Sequence, residues 1–430
     1  MSLRNPLSTL PSEINHDIFL RLEGRHLVTA QSVSKEWYSF VQDIKAFHIG
    51  QPRLLILSRV KDIHEAKRLK VRSIRLDLRT ENTSQFTVEP QVCAITAHRF
   101  RNSIDADRDL CSCNGLVLLI FEKHIILWNP LVRRSTKVLE LPRLHMLTWK
   151  ELGGLCYDPS SNEYKVVLLL SCKSSTIRIG DQYVIVSGLK NKGWQKLSFP
   201  YEHHTTRAGV NFNNTLHWIV RDKIRSPSLR TVHVNKVLYY DPVDNTFKQL
   251  PTPTKNNLEE ENHIYGTGII EGCFCIGQWY QGRNVIQVSV MKEYGNPESW
   301  VTIFAIPILG FGRHFNIYNL TFFSLHKSKN LTIMCKDNGR LYVYDGEEDK
   351  LEQRFFHIPK DEDESRVRMC FYAQSFELPY GVSWRNRDRR QCRTSESRTC
   401  GLDGMLVWLM ILLYVACMFG VLLDSRPCTS

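Results

Sequence analysis

The sequence lacks the short signatures that would announce an enzyme or a metal protein. No serine sits in a GxSxG elbow, no GxxxxGK[ST] loop offers amides to a phosphate, and no HExxH pair marks a zinc helix. The 13 cysteines stand singly or as Cys111-x-Cys113 and Cys273-x-Cys275, with no CxxC pair facing a second one. That spacing argues against a zinc site, and neither a metal nor a cofactor is expected. Cys-x-Cys within alternating apolar runs instead puts two thiols on one face of a strand, and buried reduced thiols suit a cytosolic protein. Residues 1–9 are polar and have no apolar core of the kind a secretory leader needs.

Acidic residues are in short supply as well: 44 Asp and Glu against 56 Lys and Arg leave a net charge of +12. Much of the excess lies in the first eighty residues and between 384 and 400. Lys67, Arg68, Lys70, Arg72, Arg75 and Arg79 are mixed with apolar positions in what reads as a loop and a strand. No nucleic-acid module surrounds them, so a solvated basic face is expected and no nucleic-acid partner. At 430 residues, 43% hydrophobic and 10% aromatic, the chain has material for two or three globular domains.

From about residue 54 to 378, short apolar alternations are broken by Gly, Asn, Asp and Pro, the pattern of an all-β region. Five segments superpose within it. LWNPLVRRSTKVLELP ends at Pro142, VIVSGLKNKGWQKLSFP at Pro200 and VLYYDPVDNTFKQLP at Pro251. VSVMKEYGNPESWVTIFAIP ends at Pro307 and LYVYDGEEDKLEQRFFHIP at Pro359. Each is a strand, a polar turn, a second strand and a hydrophobic-Pro stop, and successive prolines are 58, 51, 56 and 52 residues apart. A period near fifty is that of a kelch-like propeller blade, whereas a two-sheet sandwich needs no such repeat. Asn114-Gly115-Leu116, Asn214-Thr215-Leu216 and Gly272-Cys273-Phe274 mark further strand pairs ahead of three units, so four strands per unit are expected. Strands near 54–57 and 74–78 are expected to close one more blade with 370–376, since closure removes exposed edges.

Propellers also host glycosidases, which need two carboxylates facing one pocket. Asp158, Asp241, Glu293 and Asp345 fall at turn positions of the repeat, and Asp158-Pro159 and Asp241-Pro242 read as turn residues. Trp194, His217, Trp218 and Trp300 read as packing residues, and His203-His204 as a pair in a polar loop. No catalytic residue is expected.

Ahead of the repeat, residues 10–47 read as three short helices. Ser8 and Thr9 precede Pro11 and Glu13, the elements of a helix start. Ile14, Ile18 and Leu22 recur every four residues, Gly24 interrupts, Leu27, Val28 and Ala30 form a second apolar set, and Trp37, Phe40 and Val41 a third. About forty residues are too few to close a core alone. The order Leu10-Pro11, Ile14, Ile18, Leu22, Leu27, Val33, Lys35, Trp37 resembles the F-box, a trihelical motif. The resemblance implies docking to a Skp-type adaptor and, through it, a cullin scaffold. It makes these nine residues the adaptor-binding set, with Leu10, Pro11, Ile14 and Ile18 at or near the adaptor surface and Val33 and Trp37 in the motif's core. Glu23 stands where the motif commonly has proline, and Ser32 and Ser34 where it commonly has cysteine; none of these removes an apolar anchor.

GLCYDPSSNEYKVV, NNTLHWIV, VLYYDPVDNTFKQLP and MKEYGNPESW likewise resemble the plant F-box-associated interaction domain, over about 111–378. The expected fold is mainly β: an F-box over 5–50, a propeller-like β-domain over 51–380, a basic linker over 381–403 and a candidate transmembrane helix over 404–423. The two resemblances together imply a non-catalytic substrate-recognition subunit of a Skp–cullin–F-box ubiquitin ligase, cytoplasmic or nuclear, whose β-domain binds an unknown protein. The alternative is a glycan-binding or carbohydrate-active propeller whose F-box controls its own turnover.

The segment 404–423, GMLVWLMILLYVACMFGVLL, has no charged residue over 20 positions, enough for a helix to cross about 30 Å of hydrocarbon. Arg385, Arg387, Arg389, Arg390, Arg393 and Arg398 precede it, which would keep the preceding domains on the cytoplasmic side. F-box-associated proteins typically end soon after the strand at 372–378, so this tail falls outside the family pattern.

Overall fold

The computed structural model describes residues 11–22, 27, 30–31, 33–48, 52–60, 69–75, 110–120, 124–132, 134–141, 148–172, 183–200, 203–204, 209–225, 231–253, 263–279, 284–308, 320–324, 330–335, 340–354 and 362–379. Leu10, the basic linker and the apolar segment 404–423 lie outside the described residues. Among those described, no helix is long and apolar enough to cross a membrane.

Two helices, α1 (Ser12–Arg21) and α2 (Lys35–His48), come first among the described residues. Leu27 and Ala30 between them are also helical, and Gln31 N–H donates to the Leu27 carbonyl at 3.0 Å. Among the described residues the strands follow in six antiparallel units, numbered below as sheets, of which the last two are hydrogen-bonded into one eight-stranded sheet. The first joins β1 (Pro52–Val60) to β2 (Leu69–Arg75) and, on its other side, to β24 (Glu362–Ala373). The second is β3 (Cys111–Cys113), β4 (Leu116–Ile120), β5 (His124–Asn129) and β6 (Arg134–Glu140). The third is β7 (Thr148–Asp158), β8 (Glu163–Cys172), β9 (Tyr183–Gly188) and β10 (Trp194–Ser198). In the fourth, β11 (His203–His204) and β12 (Val210–Phe212) both pair with β13 (Thr215–Arg225), followed by β14 (Thr231–Asp241) and β15 (Thr246–Leu250). The fifth is β16 (His263–Ile270), β17 (Cys273–Trp279), β18 (Val285–Met291) and β19 (Trp300–Pro307). The sixth is β20 (Leu320–Ser324), β21 (Asn330–Cys335), β22 (Arg340–Asp345) and β23 (Lys350–Arg354).

Apolar clusters between sheets set their order in space. Leu55, Leu57 and Tyr372 of the first share a buried cluster with Val117, Leu119 and Trp128 of the second. Leu116 and Leu127 cluster with Leu155 and Leu168 of the third and with Leu216, Trp218 and Tyr240 of the fourth. Ile219 and Val237 meet Phe274 and Ile276 of the fifth, and Ile286 and Val288 meet Phe322 and Tyr342 of the sixth. Met334 and Leu341 then meet Leu54, Ile56 and Met369 of the first. The cycle is closed. Sandwich packing gives one interface between two sheets, while this sequence of interfaces is the layout of a propeller. The expected closing blade is present; its second strand is described over Leu69–Arg75, and residues 76–78 of the expected strand lie outside the described residues. The expected His203-His204 loop is a short strand instead, paired with Arg221 and Val220.

Turn chemistry explains the repeat. Asn114-Gly115, Asn213-Asn214 and Glu271-Gly272 all have positive φ and sit between the paired residues Cys113–Leu116, Phe212–Thr215 and Ile270–Cys273. These are two-residue hairpins of the twist-matched kind. The longer turns follow a second rule. Asp158, Asp241 and Asp345 each accept from the N–H two residues on, at 2.9, 3.0 and 2.8 Å. Tyr157, Tyr240 and Tyr344 each donate, at 2.6 Å, to the left-handed Asn162, Asn245 or Asp349 that ends the turn. The Asp residues are therefore turn formers, as the sequence pattern indicates. The paired thiols also follow expectation: Cys111 and Cys113 are buried on one face of β3, and Cys275 is buried and Cys273 half-buried on β17.

The fifth and sixth sheets are joined directly, because β16 and β20 pair in parallel from Gly266–Leu320 to Ile270–Ser324. A Cβ on Gly268 would lie 1.9 Å from the Phe322 carbonyl oxygen, and one on Gly266 2.5 Å from that of Leu320. Only glycine admits this approach. Gly268→Ala is expected to cost about 3 kcal/mol in urea unfolding, the upper end of overpacking penalties. Gly193→Ala, where a Cβ meets nothing within 4 Å, is the matched neutral control, and equal midpoints for the two variants would contradict the steric account.

Asp158 carries a further load. Lys165 Nζ lies 2.9 Å from its carboxylate and donates across the sheet boundary to Pro242 O and, at 3.2 Å, to Asn245 Oδ1. Burial by itself would raise the Asp158 carboxyl, but bonds from Ser160, Lys165 and Ser161 hold it well below the usual carboxylate range. A depressed carboxylate pKa contributes stability above the unfolded-state value and loses it as pH falls. Asp158→Asn is thus expected to lower stability at pH 7 and to flatten the decline between about pH 5 and pH 2. Urea midpoints across that window check this, and parallel curves for the two proteins would refute it.

Candidate functional site

In α1 the buried positions are Asn15, Ile18 and Phe19, with Leu22 half-buried. They follow the i, i+3, i+4, i+7 spacing of one helical face. Phe19 meets Trp37 edge-on at 5.3 Å and stacks on Phe40 at 5.6 Å. Leu27, Ala30 and Val41 belong to the same buried cluster, and the backbone N–H of Trp37 donates to Ser34 Oγ at 3.1 Å, capping α2. Pro11 itself is the residue before α1, with no side-chain cap there; the expected hydroxyl caps Ser8 and Thr9 lie outside the described residues.

This geometry exchanges two expected roles. Ile18, expected at or near the surface, is 6% exposed and belongs to the core, because the buried stripe runs through 15, 18, 19 and 22 rather than 14, 18 and 22. Val33, expected inside, is 37% exposed, since it lies in the turn before α2. Leu27 and Trp37 are fully buried, while Pro11, Ile14 and Lys35 face solvent. Tyr38 was not singled out by the sequence pattern, yet it is 52% exposed, as Ile14 is at 49%. Among the described residues, Pro11, Ile14, Val33 and Tyr38 are the exposed apolar residues of a segment whose other described apolar side chains are buried or half-buried.

In the β-domain the candidate carboxylates sit in turns of separate sheets. Asp158, Asp241 and Asp345 cap their turns, and Glu293 Oε2 accepts from Asn296 Nδ2 at 2.9 Å. Each is engaged by bonds within its own turn. His217 is buried between the fourth and fifth sheets, with Phe274 4.4 Å from its ring. Burial pulls its pKa down to about 3 against the backbone bonds that oppose the shift, so the ring is neutral. Its Nδ1 lies 3.2 Å from the Val210 carbonyl, which can only accept, so Nε2 is the acceptor for Tyr294 Oη at 2.7 Å. Burial raises Tyr294 to about 12. Neither group is placed to move protons near neutrality, and both join one sheet to the next.

The tryptophans do the same. Trp194 Nε1 donates to Glu140 O at 2.8 Å, and Trp300 Nε1 to Pro251 O at 2.9 Å. Each links an outer strand to the end of the preceding sheet's outer strand. MKEYGNPESW thus supplies two bolts, Tyr294 and Trp300, from the fifth sheet to the fourth. Among the described residues no group of three His, Cys, Asp or Glu could hold a metal ion.

Comparison with known proteins agrees with this division. Residues 7–48 match the F-box-like family, and residues 63–377 match the family described as F-box associated beta propeller domain. F-box protein CPR1 of Arabidopsis thaliana is 25% identical over 369 residues, 80% of this chain and 84% of that protein. The F-box/kelch-repeat protein At3g23880 of the same plant is 24% identical over 314 residues, 69% of this chain and 79% of that protein. Among solved structures, the nidogen/laminin complex is similar at a TM-score of 0.39 and 10% identity, over 74% of this chain and 98% of that chain, too distant to bear on the fold. The chain belongs to the family of F-box proteins that carry an F-box-associated β-propeller domain.

Proposed function

We propose that the chain is the substrate-recognition subunit of a Skp–cullin–F-box ubiquitin ligase, with an F-box over 5–50 and a kelch-like β-domain over 51–380. The observation that carries the proposal is the solvent exposure of Ile14, Val33 and Tyr38 in a segment that matches the F-box-like family. Apolar residues left outside a small helical unit suit a partner surface, and central apolar anchors dominate such interfaces. Leu10, Pro11, Ile14 and Val33 are the proposed anchors for a Skp-type adaptor, with Lys35 at their rim. Ile18, Leu22, Leu27 and Trp37 shape the surface from beneath.

The β-domain is the proposed client receptor, using loops on a rigid scaffold. Chemistry belongs to other subunits, and this chain raises the effective concentration of a protein client near activated ubiquitin. Capture of the adaptor by the full chain tests the first half. The triple variant Leu10→Ala, Pro11→Ala, Ile14→Ala is expected to weaken capture at least about tenfold. In the reconstituted ligase, proteins that bind the β-domain should acquire ubiquitin and lose it with the same triple variant. Capture and ubiquitination that survive the variant would refute the assignment.

The proposed location is the cytosol or nucleus, with segment 404–423 as the membrane contact. Alkaline carbonate extraction separates the possibilities: the full chain is expected in the pellet and a 1–403 truncation in the supernatant. Equal extraction of both would show that the segment is no anchor.

A further inference from the structure

The helical segment does not close its core with its own residues. Ile18, Phe19 and Trp37 share their buried cluster with Leu131, from the turn after β5, and Phe376, from the tail after β24. One side chain presents both. Asn129, the last residue of β5, is fully buried. Its Oδ1 accepts from the N–H of Leu131 at 2.9 Å and of Val132 at 3.3 Å. Its Nδ2 donates to the carbonyl of Ser375 at 3.0 Å and of Glu377 at 2.6 Å, on either side of Phe376. Donors meet one end of the amide and acceptors the other, so only one orientation of the group satisfies the site.

Three other turns carry aspartate at this position, and there the carboxylate only accepts. The amide forms the same turn and also holds the 375–377 tail. That tail is fitted on its far side too. Ser375 Oγ donates to Asn114 O at 2.6 Å, and a Cβ on Gly115 would lie 2.2 Å from that oxygen.

We propose that Asn129 is the positioning residue that locks the helical segment onto the closing sheet of the β-domain. The two units are then one rigid body, and whatever the β-domain binds is presented at a fixed angle to whatever the helices bind. What that angle serves rests on the ligase reading; the lock does not.

Hydrogen-exchange mass spectrometry on the full chain reads the lock without a client or an adaptor. Asn129→Asp keeps the turn acceptor and removes both donors to the tail. Phe376→Ala removes the apolar contact and leaves the turn untouched. In both variants, peptides covering α1 and α2 are expected to exchange about tenfold faster, as a lost buried contact allows. Peptides from β8 and β17 should keep their wild-type rates. Helical peptides at wild-type rates, or acceleration spread evenly over β8 and β17, would overturn the proposal. A lock that holds in a chain unable to capture the adaptor would count against the ligase reading alone.

Discussion

Pairing β24 with β1 sets Leu54 opposite Phe371 and brings Ser73 Oγ within 2.7 Å of Tyr372 Oη, two residues 299 positions apart. The other five sheets are each built from chain that is continuous or nearly so, and none of them determines whether the array is open or closed. β1 does, because its side chains alternate between two neighbours: Leu54 and Ile56 toward the sixth sheet, Leu55 and Leu57 toward the second. The entropy of closing so long a loop grows only slowly, by about 0.6 kcal/mol for each doubling of length. Burying one strand on both faces offsets that readily at about 25 cal/mol per Å². Closure also fixes where the chain leaves the ring, which is what brings Phe376 to the helices.

Within the ring, regular features supply stability and departures supply individuality. The Tyr–Asp turn recurs in three sheets with the same bond from Tyr to an Asn or Asp in the left-handed conformation. Substituting amide for carboxylate at Asn129 costs the turn nothing and adds two donors. The glycines of β16 are a second departure, adding a direct parallel backbone pairing with β20 to the side-chain packing between those blades. Lys165 is a third, tying its own turn to the next one through Pro242 and Asn245.

The repeat was legible because its marks are local: prolines after outer strands, Asp-Pro turns and Asn-Gly hairpins are dictated by a few neighbouring dihedrals. Closure by the strands around Leu54 and Cys370 was legible too, since the repeat otherwise leaves strands at both ends unpaired. The helical segment was legible as a motif and only partly as a surface. A stripe through Ile14, Ile18 and Leu22 fits the apolar spacing as well as one through Asn15, Ile18, Phe19 and Leu22, and a buried asparagine does not signal its own burial. Tyr38 was missed for the same reason: exposure is decided by how α2 lies on α1. Asn129 left no mark in the sequence, because its partners at 375 and 377 lie some 250 residues away.

A unit of about forty residues that buries Trp37, Phe19 and Leu27 still lacks enough neighbours to seal them on every side. Leu131 and Phe376 seal one side from the β-domain. Ile14, Val33 and Tyr38 remain uncovered, so the segment is sealed by the propeller at some of its apolar residues and open at others. The proposed role of the uncovered residues is to hold a partner, while the contacts to Leu131 and Phe376, two points far apart in the domain sequence and held by one amide, resist rotation. A helical adaptor attached through a flexible tether alone would transmit proximity. Attached through two points gathered by Asn129, it transmits direction as well.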